Sequence, residues 1–433
     1  MNITELLKRF REPCRCGKVH TLITDTVYIG DGADRHLAED ISRRGFAHGA
    51  VIADTNTAPI AGEALSSALS QPLLILPGDA HATEVYCAQL QEMLSALPAP
   101  PQFLIACGSG SLHDIVRYTA CEIGLPFYSY PTAASVDGFV SGIAAMTIRG
   151  TKVSYPSRSP IALYADPAVF ATAPERLTAS GVGDLLGKYI CLADWKIAQL
   201  LTGEEICPVL MELEYAVIDE LEQVIADAAD AIRHPGKDYT EYVCRVMEGL
   251  VLSGLAIQLN GNSRPASGAE HHLSHFWEMA RINEDIPALH GEQVGIASLL
   301  LLDIYKKAAE HFALPYTYDP DTLFARETLQ PVYRELTDDI LLENMPKGPQ
   351  SCSLAAIGHD APITQAEAVR AVIASLPEHQ ALLSEMRLCG CKTSLSEIGL
   401  PETEDFLSAS LRFAPYARNR LTFLKYLCAQ NLI

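Results

Sequence analysis

The chain has 433 residues, which at ~150 residues per domain suggests two or three domains. It is 48% apolar and 20% charged, the composition of an ordinary globular protein, neither disordered nor fibrous. Thirty-two basic against 53 acidic side chains give a net charge of −21, and so acidic a surface repels phosphate backbones and anionic lipid headgroups. Nucleic-acid binding is not the expected role.

At the N-terminus, Met1-Asn-Ile-Thr-Glu-Leu-Leu-Lys8 has no apolar export region, so the cytoplasm is the expected compartment. No apolar run approaches the ~20 residues of a membrane span; the longest, around Ile296–Leu302, soon meets Asp303. Twelve cysteines are too few for a disulfide scaffold and read as reduced thiols. Cys14-Arg-Cys16-Gly-Lys-Val-His20 and Cys389-Gly-Cys391 carry soft ligands. Their C-x-C spacing is tighter than that of structural zinc sites, so they read as buried or incidental thiols.

Short apolar runs follow at Ala50–Ala53, Leu73–Leu76, Phe103–Ala106 and Phe127–Tyr130, each ending near Asp, Pro or Gly, as buried strands do. Residues 61–69 and 83–97 are long enough to cross between them as helices. That alternation predicts a mostly parallel sheet covered on both faces. After Ala165-Asp-Pro the texture becomes helical, with stretches at 212–233, 239–259, 291–314, 364–375 and 403–430. An α/β part over 1–168 and an all-α part over 169–433 are therefore expected. Residues 315–320 and 345–350 read as interhelical loops.

Three polar turns stand at strand ends. Gly108-Ser109-Gly110-Ser111, followed by Leu-His-Asp114, is a strand–turn–helix that could bring backbone and hydroxyls to a phosphate. It lacks the G-x-G-x-x-G spacing, and taken alone it reads first as a plain tight turn. Asp54 could accept from a ribose hydroxyl or cap a helix. Pro131-Thr132-Ala-Ala-Ser135-Val-Asp137-Gly138 places hydroxyls and an acid at a fourth strand end. Ligands of open α/β sheets sit along that edge, so a nucleotide site is the expectation.

The helical half carries imidazoles. Ser267-Gly-Ala-Glu270 reads as a capping box, which puts His271, His272 and His275 in the first turns of a helix. Leu289-His290-Gly-Glu292 opens another helix. Ser180-Gly-Val-Gly-Asp184 places an acid beside two glycines at an expected helix start. Imidazole with carboxylate suits zinc, iron or nickel and leaves coordination positions open for substrate.

Six of these motifs in order resemble the glycerol-1-phosphate dehydrogenase family: Gly-Ser-Gly-Ser-x-x-Asp (108–114), Pro-Thr-Ala-Ala-Ser-x-Asp-Gly (131–138), Ser-Gly-Val-Gly-Asp-Leu-Leu-x-Lys-Tyr (180–189), Asp-Trp-Lys (194–196), Ser-Arg-Pro-Ala-Ser-Gly-x-Glu-His (263–271) and Leu-His-Gly-Glu (289–292). That family is a branch of the iron-containing alcohol dehydrogenase, glycerol dehydrogenase and dehydroquinate synthase superfamily. The resemblance implies a dinucleotide-binding α/β domain over 1–168, a helical metal- and substrate-binding domain over 169–433, and a metal in the cleft. Its metal ligands carry onto Asp184, His271 and His290. Its dinucleotide contacts carry onto Asp54, Gly108, Ser109, Gly110, Asp114, Thr132 and Ser135, with Ser111 adding a hydroxyl. Asp137 and His275 then lie near nicotinamide or substrate, and Lys188 and Arg264 are candidates for a substrate phosphate or else ordinary salt-bridge residues. Ser109 departs from the family's three consecutive glycines, and the tail beyond about residue 350 looks like that of the bacterial members.

The implied chemistry is reversible hydride transfer between NAD(P)H and the carbonyl of dihydroxyacetone phosphate, giving sn-glycerol 1-phosphate. Zinc is the first choice of metal, with nickel and iron as alternatives. The rival readings are a glycerol or other polyol dehydrogenase, a dehydroquinate synthase-type lyase, and a non-catalytic nucleotide- or metal-binding module. No nucleic-acid partner and no membrane insertion are expected. A homodimer is expected on symmetry alone.

Overall fold

The computed structural model describes residues 3–10, 12–234, 239–280, 286–311, 325–344, 363–430 and 432–433. The expected loops at 315–320 and 345–350 lie outside the described residues. The described chain forms two compact units, residues 1–185 with 212–263, and residues 186–211 with 264–433.

The first unit is built on strands β1 (Thr26–Ile29), β2 (Gly49–Asp54), β3 (Leu73–Leu76), β4 (Phe103–Gly108), β5 (Phe127–Pro131) and β8 (Ala162–Ala165). They form one sheet in the order β1-β8-β5-β4-β2-β3, with every pairing parallel. Helices α1 (Ile3–Arg9), α2 (Ala33–Arg43), α3 (Glu63–Leu69), α4 (Glu84–Ser95) and α5 (Gly110–Glu122) lie among these strands in sequence. Period-two alternation splits the core between the faces. Ile52, Leu104 and Phe127 pack with Leu90 of α4 and Ile115 of α5, while Val51, Phe103, Ile105 and Tyr128 pack with Leu37 of α2 and Leu65 of α3. Both faces are covered, so β2, β4 and β5 are buried at every position.

All four strands expected from the sequence are present. Strands β1 and β8 were not anticipated, nor was the antiparallel hairpin of β6 (Ile143–Ile148) and β7 (Thr151–Pro156). Each of the first pair is four residues long and flanked by polar or loop sequence, too little pattern to separate from a turn.

Beyond α6 (Pro167–Phe170), described secondary structure is helical. The last strand ends at Ala165, whereas the compact units divide after residues 185, 211 and 263. Helices α7 (Glu175–Leu186), most of α9 (Pro208–Asp227), α10 (Ala229–Arg233) and α11 (Tyr239–Asn260) belong with the sheet. Two contacts show why. A Cβ on Gly181 of α7 would stand 2.2 Å from the Ala134 carbonyl, and Ser253 of α11 reaches Asp137 at the end of the β5 turn. By length and apolarity α11 passes as a membrane span, yet 72% of its apolar window is buried inside the fold. It is a core helix.

The second unit begins with α8 (Lys188–Thr202) and continues through α12 (Ala269–Ala280), α13 (His290–His311) and the C-terminal helices to Phe423–Ala429. Asp194 of α8 organises its centre. Its carboxylate accepts from the Tyr305 hydroxyl at 2.8 Å, the Phe423 N–H at 2.7 Å and the Ala269 N–H at 2.8 Å.

Candidate functional site

The chain runs from β2 outward to β3, then returns to place β4 on the other side of β2. The ends of β2 and β4 therefore flank the point where the strand order reverses, the usual ligand crevice of open α/β sheets. Asp54 ends β2 and Gly108 ends β4. The Thr57 hydroxyl joins the two ends through the Cys107 carbonyl at 3.1 Å. Asp54 Oδ1 accepts the N–H groups of Asn56 and Thr57, both at 2.8 Å, which closes the turn that precedes the short helix at Ala58–Gly62, whose N-cap is Thr57.

The glycine turn is a strand–turn–helix, as expected. Ser109 is the N-cap in extended conformation and α5 begins at Gly110, so its first N–H groups, Ser111 among them, face the strand ends. A Cβ at Gly110 would sit 3.0 Å from Val136 Cγ2. Thr132 donates its N–H to the Gly108 carbonyl at 3.1 Å, and the Ser135 carbonyl accepts from the Ser180 hydroxyl at 3.4 Å. Asp114 stands apart from this edge chemistry: it pairs with the fully buried Arg117, which also donates to the Gly138 and Ile143 carbonyls.

Asp137 and Asp184 come together within the same unit. Asp184, fully buried, accepts the Asp137 N–H through Oδ2 at 3.0 Å. The Ser253 hydroxyl lies 3.1 Å from Asp137 Oδ2 and 3.2 Å from Glu214 Oε1. Asp184 is not at a helix start, as its glycines suggested, but near the end of α7. The glycines serve close packing: Gly181 lets α7 rest on the Ala134 backbone.

In the helical unit, His271 of α12 and His290 at the start of α13 bring their Nε2 atoms within 3.3 Å. His271 Nδ1 is 2.6 Å from Glu270 Oε1, so it holds the proton and Nε2 keeps its lone pair. Two nitrogens at 2.0–2.1 Å on one tetrahedral zinc are themselves ~3.3 Å apart. The pair fits a shared cation. His275 lies one turn on, its ring centroid 6.2 Å from that of His271. His272 is different. It is fully buried, among the described residues neither ring nitrogen has a hydrogen-bond partner, and burial holds it neutral.

Sequence reasoning missed Glu270 as the orienting group, because its S-x-x-E setting read only as a cap. The structure gives it both tasks: Oε1 also accepts the Gly268 N–H at 2.7 Å, while Asp194 rather than Ser267 takes the Ala269 N–H. Burial raises the Glu270 carboxyl to about 7 and Asp194 likewise. Of its two sequence readings, Arg264 displays the salt bridge. It is buried, and its guanidinium makes a bidentate pair with Glu204 at 2.9 and 3.0 Å and donates to the Leu421 carbonyl at 2.7 Å. That is an internal clamp. Lys188 is also fully buried and donates to the Ala266 carbonyl at 3.3 Å.

Comparison with known proteins gives the family and the fold. Residues 28–174 match the family described as iron-containing alcohol dehydrogenase. A glycerol-1-phosphate dehydrogenase [NAD(P)+] of Bacillus licheniformis is 39% identical over 313 residues, 70% of this chain and 76% of that one. The chain belongs to the glycerol-1-phosphate dehydrogenase family. Another of its members, from Bacillus subtilis, is 37% identical over 72% of this chain and 78% of its own length. The family's fold is also that of glycerol dehydrogenase from Schizosaccharomyces pombe, at 20% identity with a TM-score of 0.53 over 92% of this chain and 94% of that one. A sulfoacetaldehyde reductase from Bifidobacterium kashiwanohense, solved with NAD+, is 17% identical with a TM-score of 0.57 over 95% and 98%.

Proposed function

We propose that this chain is an sn-glycerol-1-phosphate dehydrogenase, a metal- and NAD(P)-dependent oxidoreductase that interconverts dihydroxyacetone phosphate and sn-glycerol 1-phosphate. The observation that carries the reading is the His271–His290 pair, oriented by Glu270, in a chain aligned with glycerol-1-phosphate dehydrogenases over most of its length. Asp184 is the third ligand in this reading, its carboxylate steadied by the Asp137 N–H. Zinc is our first assignment, nickel and iron the alternatives, since imidazole with carboxylate suits all three. When bound, the cation supplies Lewis acidity toward charge developing on the substrate oxygen, and the dinucleotide supplies the hydride.

The chain's own residues position the reactants. Gly108, Ser109, Gly110 and Ser111, with the start of α5, offer N–H groups and hydroxyls to a diphosphate. Thr132 and Ser135 border it from the next strand end, and Asp54 faces the ribose through the oxygen its own turn does not use. Asp114 acts indirectly, by holding Arg117. Glu270 keeps the His271 proton on Nδ1, and Asp137 and His275 stand next to nicotinamide or substrate. Residues 1–168 take the dinucleotide and 169–433 the metal and substrate, in the cytoplasm and as a homodimer.

NADH oxidation should be measured with dihydroxyacetone phosphate, free dihydroxyacetone and the phosphorylated precursor of dehydroquinate. Turnover with the first alone is expected. Equal turnover of free dihydroxyacetone would make the protein a glycerol dehydrogenase, and phosphate release from the third would make it a lyase.

A further inference from the structure

We infer that Cys14, Cys16 and His20 form a second metal site, a structural one that takes zinc and ties down the N-terminal segment. Their ligand atoms lie within 4.8 Å of one another, and Cys16 Sγ is 3.2 Å from His20 Nε2. On a tetrahedral zinc with Zn–S of ~2.3 Å and Zn–N of ~2.0 Å, sulfur and nitrogen stand ~3.5 Å apart. The Cys16–His20 separation is close to that spacing. Neither cysteine is in a disulfide.

The surroundings are those of a ligand set. His20 Nδ1 is 2.7 Å from the Leu259 carbonyl; an amide oxygen can only accept, so Nδ1 carries the proton and the Nε2 lone pair is directed at the sulfurs. The Lys18 N–H donates to Cys16 Sγ at 3.4 Å, a bond that favours thiolate. The C-x-C spacing, which argued against zinc in the sequence, is accommodated by a turn: the Gly17 N–H closes on the Cys14 carbonyl at 2.9 Å, and Gly17 has φ +81°, a conformation that favours glycine. Three ligands from the segment leave one tetrahedral position for a water or a further thiolate.

Such a site would anchor a stretch with little secondary structure. Between α1 and β1 the segment is held at the end of α11 by His20 on Leu259 and by the Ile23 and Thr24 N–H groups on Gln258 Oε1, at 2.5 and 3.1 Å. Metal binding that exists only in the folded arrangement stabilises that arrangement.

The test is cobalt(II) substitution of the full chain, read by absorption. Thiolate-to-cobalt charge transfer in the near ultraviolet and strong tetrahedral d–d bands are expected in the wild type and in His271→Ala, whose own site holds no sulfur. Both should disappear in Cys14→Ser/Cys16→Ser, with zinc content after mild dialysis falling by one equivalent per chain. His20→Asn should weaken the bands and speed proteolytic cleavage between residues 10 and 25. A wild-type protein without thiolate charge transfer overturns the site, whether or not the variants fold. So does unchanged charge transfer in the double serine variant.

Discussion

His271 and His272 are neighbours on one helix with opposite chemistry. His271 has its proton fixed by Glu270 and its lone pair toward His290; His272 is buried and held neutral, with Arg420, Lys425, Arg418 and Arg264 disfavouring its charge. Successive helical positions point about 100° apart, so only one of the two can face His290. We therefore predict that His271→Ala and His290→Ala each lose the active-site metal and nearly all turnover while still binding NADH. His272→Leu should keep both, and should leave stability unchanged or raised by about 1 kcal/mol, since it removes unpartnered buried polar atoms. Metal content by plasma emission after dialysis decides between them; loss from His272→Leu with retention in His271→Ala would move the ligand by one residue. At this scale the sequence motifs located the histidines, but not their orienting partner. Hydrogen bonding to Glu270 depends on rotamers that spacing does not specify. In the sequence Arg264 read either as a phosphate ligand or as an ordinary salt-bridge residue. Its bidentate pairing with Glu204, 60 residues away in sequence, is a tertiary fact. Arg264→Ala should accordingly destabilise the fold by about 3 kcal/mol by leaving Glu204 unpaired, and lower activity toward any substrate alike. A selective loss of affinity for dihydroxyacetone phosphate with unchanged thermal stability would restore its phosphate role.

At the scale of elements, the junction of β4 and α5 was readable because its signals are local: a buried apolar run, a glycine turn, then helical period. The register across the sheet was not, since β1 meets β8 from more than 130 residues away, and neither short strand announces itself. The same limit explains α7. Two glycines beside an acid resemble a helix start, but here they mark the face that packs on the Ala134 backbone, a requirement set by a distant loop. The glycine turn yields a prediction of its own. With Val136 Cγ2 only 3.0 Å from where a Cβ would stand, Gly110→Val would press on Val136 and shift the glycine turn whose N–H groups are proposed to hold the diphosphate. NADH binding by calorimetry should weaken at least tenfold, about 1.4 kcal/mol, with the far-ultraviolet circular dichroism unchanged. Unaltered NADH affinity would take residues 108–111 out of the cofactor site.

At the scale of the whole molecule, the composition fixed the solvent-facing character of the chain, while its acid tolerance depends on what it buries. His113 of α5 is fully enclosed, its Nδ1 2.9 Å from the Ser109 carbonyl and its Nε2 2.8 Å from the Ser129 hydroxyl. Burial, with a smaller contribution from Arg117, lowers it from 6.5 to about 3. In the unfolded chain the same imidazole takes a proton near pH 6.5. Above that pH both states are neutral and His113 adds no pH dependence. As pH falls from about 6.5 toward 3 the unfolded chain binds a proton that the folded chain refuses, so stability falls, at up to about 1.4 kcal/mol per pH unit. Urea unfolding between pH 4 and 7 should therefore show a steeper loss in the wild type than in His113→Gln, whose amide can bond Ser109 and Ser129 but does not titrate. The comparison is of slopes, so a uniformly less stable variant still answers it. Parallel slopes would mean that His113 takes up its proton in the native state as readily as in the unfolded chain, and would remove burial of this imidazole as a source of acid sensitivity.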